Sequence, residues 1–173
     1  AYQGSAQHKR TPAERKQAID FAVDVTRQTK DLLIQHGLSC DTITGGGTGT
    51  FHHEVASGLY TEIQAGSYVF MDVDYANNSG EDGKPFTEFE HALFIYATVM
   101  STAVPGQALI DVGHKAQSSD SGFPVVYDLP GVEFVKASDE HGVLTLTDVT
   151  LTIGDRIKLI PGHIDPTCNL HEY

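Results

Sequence analysis

The sequence predicts an α/β unit followed by an all-β unit, and three observations carry that expectation. A long amphipathic pattern opens the chain, short β-prone runs around a glycine cluster follow it, and from about residue 88 six β-prone runs succeed one another with no long helix between them. The expected boundary separates residues 1–87 from residues 88–173. With 173 residues and 40% hydrophobic content, the chain can bury one substantial core or two small ones.

The first element is a helix from Pro12 to His36. Thr11 is its N-cap, Pro12 takes the first helical position, and Glu14 completes a capping box. Ile19, Ala22, Val25, Leu32 and Leu33 recur on one face, Arg15, Lys16, Arg27, Lys30 and Asp31 mark the other, and Gly37 stops the helix. "LSCDTIT" then reads as a strand, "GGGTGT" as a glycine turn, "FHHEVASG" as a short helix, and "YTEIQAG" and "SYVFMDVDY" as further strands. Helical crossovers of this kind favour a parallel sheet. "YANNSGEDGKPF" is a loop by composition. The β-prone runs "ALFIYATVMS", "QALIDVG", "PVVYD", "VEFVKAS", "GVLTLT" and "DRIKLIP" make a small barrel or sandwich.

Acidic residues outnumber basic ones by 23 to 11, for a formal charge of -12, and no run of Lys or Arg can track phosphates. Nucleic acid and anionic membrane surfaces are therefore excluded as expected partners. Cys40 and Cys168 lie far apart and read as free thiols of a reducing cytoplasm. "AYQGSAQHKR" has no signal-peptide core and no stretch reaches membrane-spanning length.

Two places carry chemistry. The cluster "TGGGTGT" between a strand and a helix frees backbone N–H groups to converge on an anion, and Gly66 with Ser67 in "QAGSYVF" offers a second such turn. It has no P-loop lysine and does not fit G-x-G-x-x-G, so a phosphate cradle and an ordinary glycine loop both remain open. In "PGHIDPTCNL", an extended strand would aim His163 and Asp165 at one object, a divalent cation, unless the stretch is a surface loop with two polar residues. His52, His53 and Glu54 in "FHHE" read as a solvated helix start, because adjacent helical residues diverge. "DVDY" and "EFEH" read as solvated acids, and "DEHG" as a hairpin turn.

The ordered motifs "AYQGSAQH", "TGGGTGT", "EIQAGSYVFMDVDY", "DVGHKA", "DEHG" and "PGHIDPTCNL" resemble those of D-threonine aldolases and the related D-serine dehydratases across essentially the whole chain. These are pyridoxal phosphate enzymes of the alanine racemase fold type, so the resemblance implies the later part of a cofactor-binding (β/α)8 barrel followed by a β-barrel-like domain that carries a metal motif. It implies that Gly46, Gly47, Thr48, Gly66 and Ser67 surround the cofactor phosphate. It also implies that His163 and Asp165 bind a divalent metal (Mn²⁺, Mg²⁺ or Zn²⁺), and that Tyr2 and His8 face the cofactor as catalytic candidates. His8 also fits a plain loop residue. Cys168 lies outside the ligand position and reads as a structural thiol.

The implied activity is cleavage of D-threonine and other small D-3-hydroxy amino acids to glycine and an aldehyde, in a homodimer. Where the dehydratases carry a cysteine as second metal ligand, this chain has Asp165, which favours the aldolase; a D-serine or D-3-hydroxyaspartate-type dehydratase is the alternative. A non-catalytic phosphate- or metal-binding module is the alternative from another class. The family enzyme is about twice as long, and none of Lys9, Lys16, Lys30, Lys84, Lys115, Lys136 and Lys158 matches its Schiff-base lysine. The chain is expected to be a portion completed by the missing N-terminal half of the barrel, because a lone half-barrel would expose strand edges.

Overall fold

A computed structural model describes residues 1–172. The chain divides into two compact units, one of Ala1–Val69 with Tyr75–Phe89, the other of Phe70–Asp74 with the residues from Glu90 onward.

In the first unit, α1 (Pro12–Gln35) starts at the expected capping box: the Thr11 side chain accepts from the Glu14 N–H at 3.3 Å, and the Glu14 carboxylate accepts from the Thr11 N–H at 3.2 Å. Gly37, at φ +73°, lies just beyond its end. The buried stripe differs from the one expected. Ile19 and Val23 join Ala6, Ile43 and Leu59 in the core, whereas Val25 and Leu32 are 46% and 54% exposed. Arg15, expected on the polar face, heads the buried stripe at i, i+4, i+8. Its burial is compensated by three carbonyls, since its guanidinium donates to Lys9 O at 2.7 Å, Arg10 O at 3.0 Å and Ser79 O at 2.6 Å.

β1 (Thr44–Gly45) and β2 (Glu62–Ile63) pair in parallel, with α2 (Phe51–Ala56) between them in the chain. The strand expected over "SYVFMDVDY" does not form. Ser67–Val69 is a 3-10 turn and α3 (Val73–Ala76) follows. The N–H groups a strand would offer to a neighbour are used otherwise: that of Tyr68 goes to Thr48 Oγ1, and that of Val69 to Gly66 O. Those of Val73 and Asp74 go to Pro161 O and Gly162 O.

The second unit forms six strands where six β-prone runs occur: β3 (Ile95–Ser101), β4 (Gln107–Ile110), β5 (Val125–Val126), β6 (Val132–Ala137), β7 (Gly142–Leu146) and β8 (Arg156–Ile160). They join in the order β5-β8-β3-β4-β7-β6, all antiparallel. β5 and β6, at the two ends of that order, pack against each other, so the sheet is a nearly closed barrel. β6 and β7 form the hairpin expected at "DEHG". Period-two alternation explains the core: Ile95, Ala97 and Val99 point in while Tyr96 and Met100 point out. Leu144, fully buried, sits in register with Ala108 on one side and Phe134 on the other. α4 (Ile164–Cys168) follows the last strand.

Leu144→Ala is expected to cost about 2–5 kcal/mol in a denaturant titration, because it opens a cavity at the barrel centre. Met100→Ala, on the outer face, should cost less than about 1 kcal/mol.

Candidate functional site

In the first unit the two expected phosphate-binding turns meet. Both follow the C-terminal ends of the parallel strands β1 and β2, the end at which such folds gather ligands. The Tyr68 N–H donates to Thr48 Oγ1 at 3.0 Å, and the Gln64 N–H donates to Gly45 O and Gly46 O, each at 3.0 Å. Gly46 turns the chain at φ +77°. A Cβ at position 47 would stand 2.5 Å from Gln7 Oε1 and 2.7 Å from Tyr2 OH, so only glycine fits there and the Tyr2 hydroxyl borders the loop. Position 66 opens onto space, with no atom within 4 Å of an added Cβ. Thr48 and Ser67 are buried. His8 is exposed and its ring lies 5.3 Å from that of Tyr75.

Beneath the glycine loop runs a buried polar chain that sequence reading missed. Gln7 Nε2 donates to Thr50 Oγ1 at 2.7 Å, and Thr50 Oγ1 donates to Glu54 Oε1 at 2.8 Å. Gln7 Oε1 accepts the Gly49 N–H at 3.0 Å, and Asn78 Nδ2 donates to Gln7 O at 2.9 Å. The solvated helix start expected at "FHHE" holds for His52, which is exposed and pairs with Glu88 at 2.7 Å. It fails for Glu54, which is 1% exposed, because the divergence of adjacent helical residues turns that side chain inward. Burial pushes the Glu54 carboxyl up, against the Thr50 hydrogen bond. The only clue in the sequence was Thr50 four residues before Glu54, one helical turn apart.

His163 and Asp165 lie in the second unit. The extended-strand geometry expected for both is found only at His163, at φ -142° and ψ 120°, where it is the N-cap of α4; Asp165 already belongs to the first helical turn. The buried Asp72 carboxylate explains the helix start. Its Oδ2 accepts the Ile164 N–H at 2.8 Å and so satisfies an N–H that the helix cannot pair internally. "DVDY", read as solvated acid, thus contributes two buried carboxylates, Asp72 and Asp74, of which Asp72 anchors the helix.

The helical turn still leaves His163 Nε2 3.9 Å from Asp165 Oδ2. That gap is shorter than two ligand bonds of about 2.1 Å laid end to end, so one ion can touch both atoms, and an imidazole with a carboxylate suits Mn²⁺, Mg²⁺ or Zn²⁺. Among the described residues no three His, Cys, Asp or Glu side chains converge as a metal cluster, so the candidate is a two-donor site that leaves positions for water or substrate. On its other side, His163 Nδ1 lies 2.7 Å from Asp120 Oδ2. Partial burial raises the Asp120 carboxyl, but hydrogen bonds from Ser118, His163 and Ser121 outweigh it and hold the group below the usual carboxylate value. Cys168 is half-buried, and burial followed by the Asp165 charge pushes its thiol up.

With these features described, the kinship of the chain can be stated. Residues 92–173 match the family described as "Putative serine dehydratase domain". The chain as a whole is similar to aldolases of D-3-hydroxy amino acids. A 3-hydroxy-D-aspartate aldolase of Paracoccus denitrificans (strain Pd 1222) is 46% identical over 100% of this chain and 45% of its own length. A D-threonine aldolase of Arthrobacter sp is 43% identical over 99% of this chain and 45% of its own. The crystal structure of D-threonine aldolase from Filomicrobium marinum matches with TM-score 0.90 and 46% identity, over 98% of this chain and 45% of that one. An alanine racemase-like protein from Idiomarina loihiensis shares the fold at TM-score 0.78 and 24% identity, over 98% of this chain and 49% of that one. The chain spans 45% of the length of the curated relatives it matches along its whole extent, and what it matches is their C-terminal portion.

If the Glu54 carboxyl is neutral when folded, its effect on stability has a fixed sign. Its pKa is raised on folding, so its contribution is fully present below the ordinary value of 4.5 and is lost as pH rises through the raised value. Relative to Glu54→Gln, the wild-type chain should therefore lose stability as pH rises above 4.5, by at most about 1.4 kcal/mol per pH unit, in paired urea titrations. Parallel pH profiles would show Glu54 ionised in the folded chain.

Proposed function

We propose that this chain is the C-terminal portion of a metal-activated pyridoxal phosphate aldolase that splits D-threonine and other D-3-hydroxy amino acids into glycine and an aldehyde. The observation that carries the reading is the Asp165 carboxylate facing His163 Nε2 at 3.9 Å, in a chain 46% identical along its whole length to an aldolase of this substrate type. A hard oxygen donor beside an imidazole suits an ion that binds a substrate hydroxyl.

Residues 1–87 would form the later part of the (β/α)8 barrel and residues 88–173 the β domain. The lysine that bonds the cofactor belongs in this reading to the N-terminal half. Exposed apolar side chains on α1, among them Phe21, Val25, Leu32 and Ile34, are consistent with a surface that such a half would cover. The free thiols of Cys40 and Cys168 fit the cytoplasm, and a homodimer completes the reading.

Gly46, Gly47, Thr48, Gly66 and Ser67 would hold the phosphate of pyridoxal phosphate, with buried Thr48 and Ser67 supplying hydroxyls and the glycines letting the backbone approach. When bound, that cofactor supplies the sink for the electrons of the Cα–Cβ bond. His163 and Asp165 would hold a divalent ion (Mn²⁺, Mg²⁺ or Zn²⁺), whose chemistry there is to acidify the substrate's β-hydroxyl. In this reading His8 would be the base for the hydroxyl proton, and Tyr2, whose hydroxyl borders Gly47, would fix the edge of the phosphate loop. From D-threonine the aldehyde is acetaldehyde. From 3-hydroxy-D-aspartate, breaking the same bond leaves glyoxylate.

In the full-length protein, His163→Ala and Asp165→Ala should each lower metal-dependent aldehyde release from D-threonine by roughly 10²–10⁴-fold. Chelation should do the same to the wild type. Release of 2-oxobutanoate in place of acetaldehyde would make the protein a dehydratase. No turnover with metal and cofactor present would leave a non-catalytic module.

A further inference from the structure

Resting on that reading of His163 as a metal ligand, we infer that Asp120 is a positioning residue that sets the tautomer and ring orientation of His163 so that Nε2 faces the ion. The assignment starts from geometry. Asp120 Oδ2 lies 2.7 Å from His163 Nδ1, while His163 Nε2 is the atom turned toward Asp165. A carboxylate only accepts, so the contact requires the proton on Nδ1, and a proton on Nδ1 leaves the lone pair on Nε2. An imidazole that binds a metal through one nitrogen gains basicity and a fixed ring plane when its other N–H is held by a carboxylate.

Asp120 is itself held. Ser118 Oγ donates to its Oδ1 at 2.6 Å, and Ser121 Oγ donates to its Oδ2 at 3.3 Å. The segment between β4 and β5 that carries it is tied to α4 through Thr167, which is 1% exposed. Thr167 Oγ1 accepts the Ser118 N–H at 3.1 Å and donates to His163 O at 2.6 Å. A glycine contact completes the clamp: a Cβ at position 162 would collide with the Gly122 carbonyl oxygen and stand 3.0 Å from its carbon. Glycine at 162 is what lets the Asp120–Gly122 backbone come up against the turn that bears His163. Two segments more than 40 residues apart in sequence are thus fitted at a backbone glycine, a shared hydroxyl and the carboxylate–imidazole contact. Although its side chain is 52% exposed, Asp120 has this support, which a group that must hold one imidazole plane needs.

The test uses the natural full-length enzyme and Mn²⁺ alone, titrated by calorimetry into wild type, His163→Ala, Asp120→Asn and Asp120→Ala. His163→Ala should abolish measurable binding at the site, and both Asp120 variants should weaken it by roughly 10–100-fold. If His163→Ala binds Mn²⁺ like wild type, the metal reading fails and this inference falls with it. If His163→Ala loses the ion but both Asp120 variants bind like wild type, the inference alone is wrong. The second readout is the tautomer. In histidine-labelled, metal-free protein the ¹⁵N shifts of His163, assigned by difference from His163→Ala, should report Nδ1–H in wild type and a shift toward Nε2–H in Asp120→Ala. A weakened affinity with an unchanged tautomer would mean that Asp120 only braces the loop, and would overturn the positioning role. Should the alanine variant fail to fold, Asp120→Asn carries the affinity measurement, and Asp120→Leu, of similar shape but with no acceptor, carries the tautomer measurement.

Discussion

A buried polar atom must find a partner inside the protein, and both units are organised by a side chain that meets this demand. In the first unit it is Gln7. Its amide is 1% exposed, donates to Thr50 and accepts from Gly49, so one side chain ties the chain's first ten residues to the loop between β1 and α2. In the second it is Asp72, with no exposed surface, whose carboxylate accepts the first N–H of α4 across 92 residues of sequence. Removing either partner would leave a desolvated group unpaired, at a cost of about 1–3 kcal/mol and more for the charged one.

The candidate chemistry follows from what these anchors hold in place. Gln7 braces the loop through Gly49 and Thr50, just after Gly46, Gly47 and Thr48. Glu54 extends the same chain inward, and burial there pushes its carboxyl up. Asp72 starts α4 at residue 164, which makes His163 a cap in extended conformation and carries Asp165 round the first turn to within 3.9 Å of the imidazole. The carboxylates near His163 lie against different ring nitrogens: Asp120 is 2.7 Å from Nδ1, and Asp165 is 3.9 Å from Nε2.

Much of this was legible in the sequence where the physics is local. The start of α1 follows from Thr11, Pro12 and Glu14, whose cap lies within one turn, and the six barrel strands, of two to seven residues, coincide with six β-prone runs. The glycine turns were legible as turns because glycine's freedom is a property of the residue itself. What stayed hidden depends on distant partners. Arg15 is buried because Ser79, 64 residues away, helps to offset the loss of water. The "SYVFMDVDY" run has strand composition but no strand beside it, and its N–H groups are spent on Thr48, Pro161 and Gly162. His163 and Asp165 were identified as a pair by resemblance and spacing. The helical turn that joins them is set by Asp72, and the imidazole's orientation by Asp120, and no local pattern announces either.

The central claim, that His163 and Asp165 hold one divalent ion between them, is tested most directly by anomalous diffraction from crystals of the full-length protein soaked in Mn²⁺. The account predicts a single strong peak in this region within about 2.0–2.3 Å of both His163 Nε2 and an Asp165 carboxylate oxygen. A Mn²⁺ peak bound elsewhere, with the two side chains still 3.9 Å apart and bridged by nothing but water, would contradict it.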